Sequence, residues 1–210
     1  MERVIFDLDG TLLNAHWEDE RNFFRKRIGN EEKTEEFLQD VGKVLQEYER
    51  THEFYSIFDL SKFMNTKGYS FTEELVLSWI KFFQENVNDD VCEGVIELLD
   101  TLKEKGIKMS VSTNWFTEAQ MGRLERAGIL DYFDRVVGGD YCIKPGKANF
   151  LLASNNTPLD ECLVIGNDYI NDYIGARKIG MNAVYLDNNH SLKDVVKEIK
   201  TEGKILVKKR

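Results

Sequence analysis

The stretch Val4-Ile5-Phe6-Asp7-Leu8-Asp9-Gly10-Thr11 decides the fold. Its first half is short, apolar and rich in β-branched or aromatic side chains, which is the composition of a strand buried on both faces of a parallel sheet. Its second half breaks that run with two acids and a glycine. Alternate side chains of an extended segment share a side, so Asp7 and Asp9 approach one site while Leu8 turns into the core. Close carboxylates repel, and such a pair is tolerated where a cation sits between them or one of them holds a proton. The competing local interpretation is that Asp9-Gly10 forms a turn and nothing more.

Working outward, residues 109–113, 163–165 and 183–186 repeat the buried-strand pattern, and 135–137 is a weaker fifth. Helical patterns alternate with them over 95–105, 118–127, 147–153, 172–179 and 192–200. That alternation implies right-handed crossovers and hence an α/β fold built on a doubly wound parallel sheet. Thr117-Glu118-Ala119-Gln120 has the form of a capping box, and Gly128 is placed to end that helix in a left-handed conformation. Residues 14–89 differ: their apolar positions recur at helical spacing, as in Phe37, Val41, Leu45 and Tyr48 and again in Leu75, Trp79 and Phe82. The expected organisation is a core domain of residues 1–13 and 90–210 and a small α-helical insert domain of residues 14–89. Within the insert, Phe54, Tyr55, Phe58 and Phe63 read as core rather than as a stack for a substrate.

Composition narrows the partners. With 42% hydrophobic and 31% charged residues in 210, the chain is globular rather than disordered. A net charge of −9 argues against nucleic acid, whose backbone is held by Lys and Arg surfaces. Residues 14–89 hold 16 acidic against 10 basic side chains, so −6 of that charge sits in the helical insert. An acidic insert disfavours highly charged ligands such as nucleoside triphosphates. The basic tail, 204–210, reads as solvated charge. Cys92, Cys142 and Cys162 lack C-x-x-C spacing and read as reduced structural thiols. No apolar run approaches the roughly 20 residues of a membrane span, and no leader-like segment precedes the first strand. The expectation is a cytoplasmic protein, a monomer or weak dimer, with no membrane partner.

Ligands of open α/β sheets bind beyond the carboxyl ends of the strands, so the residues just past each strand carry the chemistry. After the second strand, Thr113 and Asn114 bring a hydroxyl and an amide able to donate to a phosphate oxygen, or to cap the loop. Lys144 precedes Pro145, which restricts its backbone to extended conformations and makes it a candidate counter-charge. After the strand at 163–165 come Gly166-Asn167-Asp168, with Asn171 and Asp172 beyond. Mg²⁺ takes oxygen ligands and keeps several waters, so carboxylates from two loops with one carbonyl suffice. Capping of the next helix is the alternative role for Asp168 and, more so, for Asp172.

In this order, F-D-L-D-G-T-L, S-T-N, K-P and G-N-D-Y-I-N-D resemble the four motifs of the haloacid dehalogenase-like hydrolase superfamily, and the insert resembles its helical cap. The resemblance implies a Mg²⁺-dependent phosphatase acting on a small phosphorylated metabolite. It makes Asp7 the nucleophile that becomes an aspartyl-phosphate, and Asp9 the acid/base that also offers its carbonyl to the metal. Thr113, Asn114 and Lys144 become phosphate ligands, Asp168 the further metal ligand, and Asp172 and Asn167 their support. The chain departs from the commonest pattern by placing Asn167 where many relatives have an acid; this leaves the metal ligand between Asn167 and Asp168, with Asp168 favoured. Dehalogenation needs neither an acid at position 9 nor a metal. A phosphomutase shares the core chemistry and stays open, as does a phosphate-binding module on the same scaffold. Asn14, His16, Trp17 and Trp115, with Phe116, are the candidates for lining the entrance.

Overall fold

The computed structural model describes residues 1–202; the basic tail at 204–210 and the end of the expected core domain lie outside the described residues. In chain order the elements are β1 (Arg3–Phe6), β2 (Leu13–Asn14), α1 (Trp17–Ile28), α2 (Glu31–Thr51), α3 (Ile57–Thr66), α4 (Glu73–Asn86), β3 (Asp90–Val91), α5 (Val95–Glu104), β4 (Lys108–Ser112), α6 (Thr117–Arg126), β5 (Arg135–Val137), α7 (Lys147–Ala153), β6 (Cys162–Gly166), α8 (Gly175–Lys178), β7 (Asn182–Tyr185) and α9 (Leu192–Glu202). A π-helical turn over Tyr169–Ile174 runs into α8.

Five strands pair in the order β5-β4-β1-β6-β7, all parallel. β1 is central and buried along its whole length, as its unbroken apolar run demands. From β1 the chain crosses to β4 and β5 on one side, then back to β6 and β7 on the other. The direction of winding reverses at β1, and a crevice opens at such a switch point beyond the carboxyl ends of the neighbouring strands. Asp7, Thr113 and Asn167 sit at those ends of β1, β4 and β6. At the other end Arg3 is buried, its guanidinium forked onto the Asp134 carboxylate at 2.6 and 2.8 Å.

Between β2 and β3 the chain is entirely helical. Those two short strands pair antiparallel, Leu13 with Val91 and Asn14 with Asp90, where the chain enters and leaves the helical segment. Helices α2, α3 and α4 start on capping side chains, Asn30, Ser56 and Thr72, each accepting from a first-turn amide. The helices enclose their own apolar cluster, with Tyr48, Leu60, Met64, Val76 and Trp79 fully buried. Its stripe on α4 runs through Val76, Trp79, Ile80 and Phe83, so Phe82 lies at the edge. Of the aromatic run, Tyr55 is buried and Phe63 packs at the edge, whereas Phe54 and Phe58 are exposed.

The cluster continues onto Phe116, Ala119 and Ile143, so the helical segment docks on α6. The crossing of α4 and α6 is close enough that a methyl group on Gly122 would fall 2.1 Å from the Gln84 carbonyl oxygen. Arg126 caps the end of α4 from across this crossing, donating to the carbonyls of Phe83, Gln84 and Val87. The start of α6 differs from a capping box. Phe116 is its N-cap, and the Thr117 amide and hydroxyl both donate to Asp140 Oδ1, at 2.8 and 2.6 Å. A carboxylate from the β5–α7 loop thus takes the first-turn donors, which frees Gln120 to face the site. Gly128 does adopt a left-handed φ of 71°.

Candidate active site

Asp7 leaves β1 with its amide still bonded to the Ile165 carbonyl, which fixes its backbone in the sheet. The chain then turns: the Leu8 carbonyl accepts from the amides of Thr11, Leu12 and Leu13. Gly10 makes this turn possible, with φ at 72° and the Asn167 side chain packed where a Cβ would be. Asn167 therefore supports the Asp7–Asp9 loop by contact.

Lys144 Nζ lies 2.7 Å from Asp7 Oδ1 and 2.7 Å from Asp172 Oδ1, all three side chains being buried. Asn114 Oδ1 accepts from the Lys144 amide at 2.9 Å and holds that loop in register. One ammonium thus serves two buried carboxylates. Burial drives the Asp7 carboxyl up to about 7, and Asp172 and Asp9 add to the rise against the pull of Lys144. Lys144 is held above its ordinary value: the Asp172 and Asp7 charges outweigh the loss of hydration, the largest single influence. The second oxygen of Asp172 accepts from the Asp168 amide at 3.0 Å, tying the β6 loop to the same cluster.

Asp9 takes a different partner. Its Oδ1 accepts from Arg123 Nη2 at 2.6 Å, and Arg123 Nε donates to Asp89 Oδ2 at 2.6 Å. The side chains of Arg123 and Asp89 are fully buried while that of Asp9 is 42% exposed. The third arm of the guanidinium meets Gln120 Oε1, whose amide nitrogen donates to the Thr113 hydroxyl at 3.1 Å. Asp89 also accepts from the His16 amide, and His16 Nε2 meets Asp90 at 2.8 Å. One continuous network therefore runs from both linkers of the helical segment through Arg123 to Asp9 and Thr113. His16 and Asn14 belong to those linkers and stand outside the entrance.

Asp168 does not join Asp7. Its Oδ1 accepts from the amides of Ile170 and Asn171, and its Oδ2 from Asn171 Nδ2, so it caps the π-helical turn. Among the described residues no group of three or more His, Cys, Asp or Glu side chains is gathered to hold a metal ion. The donor chemistry nevertheless fits Mg²⁺: oxygen ligands only, among them a carboxyl that burial raises to about 7 in spite of Lys144.

A cavity of about 180 Å³ is lined by Asp9 and Asn114 together with residues of the helical segment. Trp17, Tyr55, Trp79 and Trp115 wall it, and Glu20 and Glu49 line it. Trp115 holds a left-handed φ of 71°, rare for a bulky residue. Phe116 is buried in the packing beside it. Trp79 Nε1 donates to Glu20 at 3.0 Å and the Tyr55 hydroxyl to Glu49 at 2.8 Å. Burial lifts the Glu20 carboxyl to about 7 and raises Glu49 as well. A second cavity, of about 600 Å³, lies beside Lys144, Asp168 and Arg50, and Glu49 borders both. Glu20, Glu49, Asp89 and Arg123 are not singled out by sequence, and Gln120 is read there only as part of a capping box. Only Gln120 and Arg123, polar residues on the inward face of an amphipathic helix, left a signal there.

The three cysteines are unpaired, and burial raises the thiols of Cys92 and Cys162 to about 11, as inert structural residues require. Among the described residues no helix is long and apolar enough to cross a membrane.

Known proteins resemble this chain in sequence and in fold. The chain is 33% identical over 95 residues to a ribulose-1,5-bisphosphate 5-phosphatase of Halopiger xanaduensis, a match covering 43% of this chain and 40% of that protein. It is 27% identical to the putative pyrophosphatase PpaX of Clostridium perfringens, over 80% of this chain and 75% of that one. The fold matches a phosphatase from Thermococcus onnurineus with a TM-score of 0.63 at 21% identity, covering 99% of this chain and 100% of that one. It equally matches an L-2-haloacid dehalogenase from Xanthobacter autotrophicus, with a TM-score of 0.65 at 17% identity, over 98% and 84% of the two chains. The model of the haloacid dehalogenase-like hydrolases matches residues 4–186, from β1 past the end of β7. The chain belongs to the haloacid dehalogenase-like hydrolase family.

Proposed function

We propose that this hydrolase is a Mg²⁺-dependent, cytoplasmic phosphatase that removes the phosphoryl group from a small phosphorylated metabolite by way of Asp7. The observation that carries this is the buried pair of Asp7 and Lys144 at 2.7 Å, set at the switch point of the sheet with Asp172 behind it. Relatives named as phosphatases and pyrophosphatases support it, among them a phosphoglycolate phosphatase of Caulobacter vibrioides, 29% identical over 52% of this chain and 48% of that one.

Asp7 attacks phosphorus in line, and the P–O bond to the leaving alcohol breaks as the acyl-phosphate bond forms. Lys144 neutralises charge on the equatorial oxygens, and the Asn114 side chain keeps its loop in place. Asp9 gives a proton to the leaving oxygen and then takes one from the water that hydrolyses the aspartyl-phosphate. To do so it exchanges its bond to Arg123 for one to the substrate. Asp7 and the Asp9 carbonyl are the residues that would hold Mg²⁺, and Asp168 could join them only by giving up its cap bonds; the ion's double charge would offset repulsion between carboxylate and phosphate. The core domain of 1–13 and 90–210 supplies this chemistry, the helical segment of 14–89 selects the substrate, and the protein works as a monomer or weak dimer. Hydrolysis of p-nitrophenyl phosphate with Mg²⁺ tests the assignment. Asp7→Asn abolishes turnover and the acid-stable phosphoenzyme signal, and full activity in that variant overturns it.

A further inference from the structure

The helical segment builds the smaller cavity in a way that bears on what leaves when phosphate is transferred. Asp9 and Asn114 are among its lining residues, so on the phosphatase assignment above it receives the alcohol half of the substrate. At about 180 Å³ it lies below the roughly 300–1,000 Å³ of pockets for drug-sized ligands, which restricts it to a group of a few heavy atoms. Its walls are the rings of Trp17, Tyr55, Trp79 and Trp115, with Trp79 and Trp115 packed 4.6 Å apart between centroids. Indole and phenol faces carry negative potential and attract cations. Glu20 and Glu49 add carboxylates, each given one fixed orientation by a ring donor.

Among the described residues the only basic side chain at this cavity is Arg123, and its three arms engage Asp9, Asp89 and Gln120. Three acidic side chains, Asp9, Glu20 and Glu49, line the cavity against this one guanidinium. Glu20 is held within an apolar wall at some expense to the fold, since burial lifts it to about 7; such a group is expected where a ligand supplies the missing positive charge.

We propose that this cavity is a cage for a cationic amine, so that the substrate is the phosphomonoester of a small amino alcohol, with Glu20 and Glu49 as the specificity-determining residues. The ammonium sits between the aromatic faces and the two carboxylates while the phosphate lies at Asp7 and Lys144. A carboxylate-bearing substrate, such as that named for the Caulobacter relative, is repelled by the same groups.

The test is a size-matched series with Mg²⁺: 2-aminoethyl phosphate, 2-hydroxyethyl phosphate and phosphoglycolate, alongside p-nitrophenyl phosphate. The expected order of kcat/KM is ammonium, then hydroxyl, then carboxylate, with at least tenfold between the first and last. In Glu20→Gln and Glu49→Gln the ratio of 2-aminoethyl to 2-hydroxyethyl phosphate falls at least fivefold. A carboxylate hydrolysed as well as the ammonium overturns the cage, as does a ratio unmoved in both variants. Quenching of tryptophan fluorescence separates the two claims, because it needs no turnover. Saturable quenching by 2-aminoethyl phosphate but not by phosphoglycolate, with no hydrolysis of any ester, supports the cage and rejects the phosphatase; hydrolysis of p-nitrophenyl phosphate without selective quenching rejects the cage alone.

Discussion

Glu20 is where stability and binding pull hardest against each other, and replacing it by Gln isolates that conflict. Gln is nearly isosteric, and its carbonyl oxygen can still accept from Trp79 Nε1, which lies 3.0 Å from the carboxylate. What the change removes is the ionisation. In the folded chain the Glu20 carboxyl is raised from 4.5 to about 7, first by burial, with a small addition from Asp9, against the Trp79 bond and Arg123. The folded state therefore binds the proton more tightly than the unfolded chain. Stability from this group is complete below pH 4.5 and is lost as pH rises through about 7. The full shift corresponds to roughly 3 kcal/mol at about 1.4 kcal/mol per pH unit. Part of Glu20 still faces the cavity, so solvent screening trims this to about 1–3 kcal/mol. Urea unfolding of both proteins between pH 4 and 8.5 measures it. The variant matches the wild type near pH 4 and gains about 1–3 kcal/mol by pH 8, roughly 2–10 °C in Tm. Parallel stability curves across that window would refute the reasoning, because they would mean that the carboxylate is solvated and no cation is wanted.

Lys144→Met leaves Asp7 and Asp172 buried without their shared ammonium; it costs about 3–5 kcal/mol at pH 8 and less at pH 5, where Asp7 holds a proton. A loss independent of pH would show that water reaches both. Arg123→Met strands the fully buried Asp89 and releases Asp9, with an expected loss of about 3–5 kcal/mol in chemical denaturation; a loss under about 1 kcal/mol would mean that Asp89 finds solvent. Gly122→Ala drives a methyl group into the Gln84 carbonyl and lowers stability by about 1–3 kcal/mol or more. Full stability there would show that α4 and α6 slide apart without loss.

The sheet was readable because each of its strands is decided locally. β1, β4, β6 and β7 are short apolar runs closed by polar residues, and parallel strands buried on both faces admit little else. Strand order then placed Asp7, Thr113 and Lys144 near one another, since they lie on consecutive loops at one edge. Failures began where partners come from a distant element. Thr117 and Gln120 have capping-box spacing, but Asp140, 23 residues away from Thr117, supplies the carboxylate that the first turn needs. Asp168 fits a metal-ligand motif and a helix cap equally well, and only the geometry of Tyr169–Ile174 shows its oxygens turned to the cap. In the helical segment the apolar period located the buried stripe to within a residue, yet Glu20 and Glu49 look like any acids on an acidic surface helix.

That asymmetry has a physical origin. Residues that transfer phosphate must stand where strand ends converge, so the sheet constrains their type and spacing together. Residues that choose a leaving group need only reach a cavity from whichever helix covers it, and no fixed spacing records them. What marks them is energetic: a carboxylate kept under an apolar wall against its hydration, an arginine with every arm engaged, a tryptophan at positive φ. Each is unfavourable alone, and they meet at one cavity. The Arg123 network adds a mechanical consequence, because Asp89 and His16 join the two linkers to the same guanidinium that holds Asp9. Movement of the helical segment over a bound amine would disturb the bond that keeps Asp9 from the leaving oxygen, coupling recognition of the alcohol to delivery of its proton.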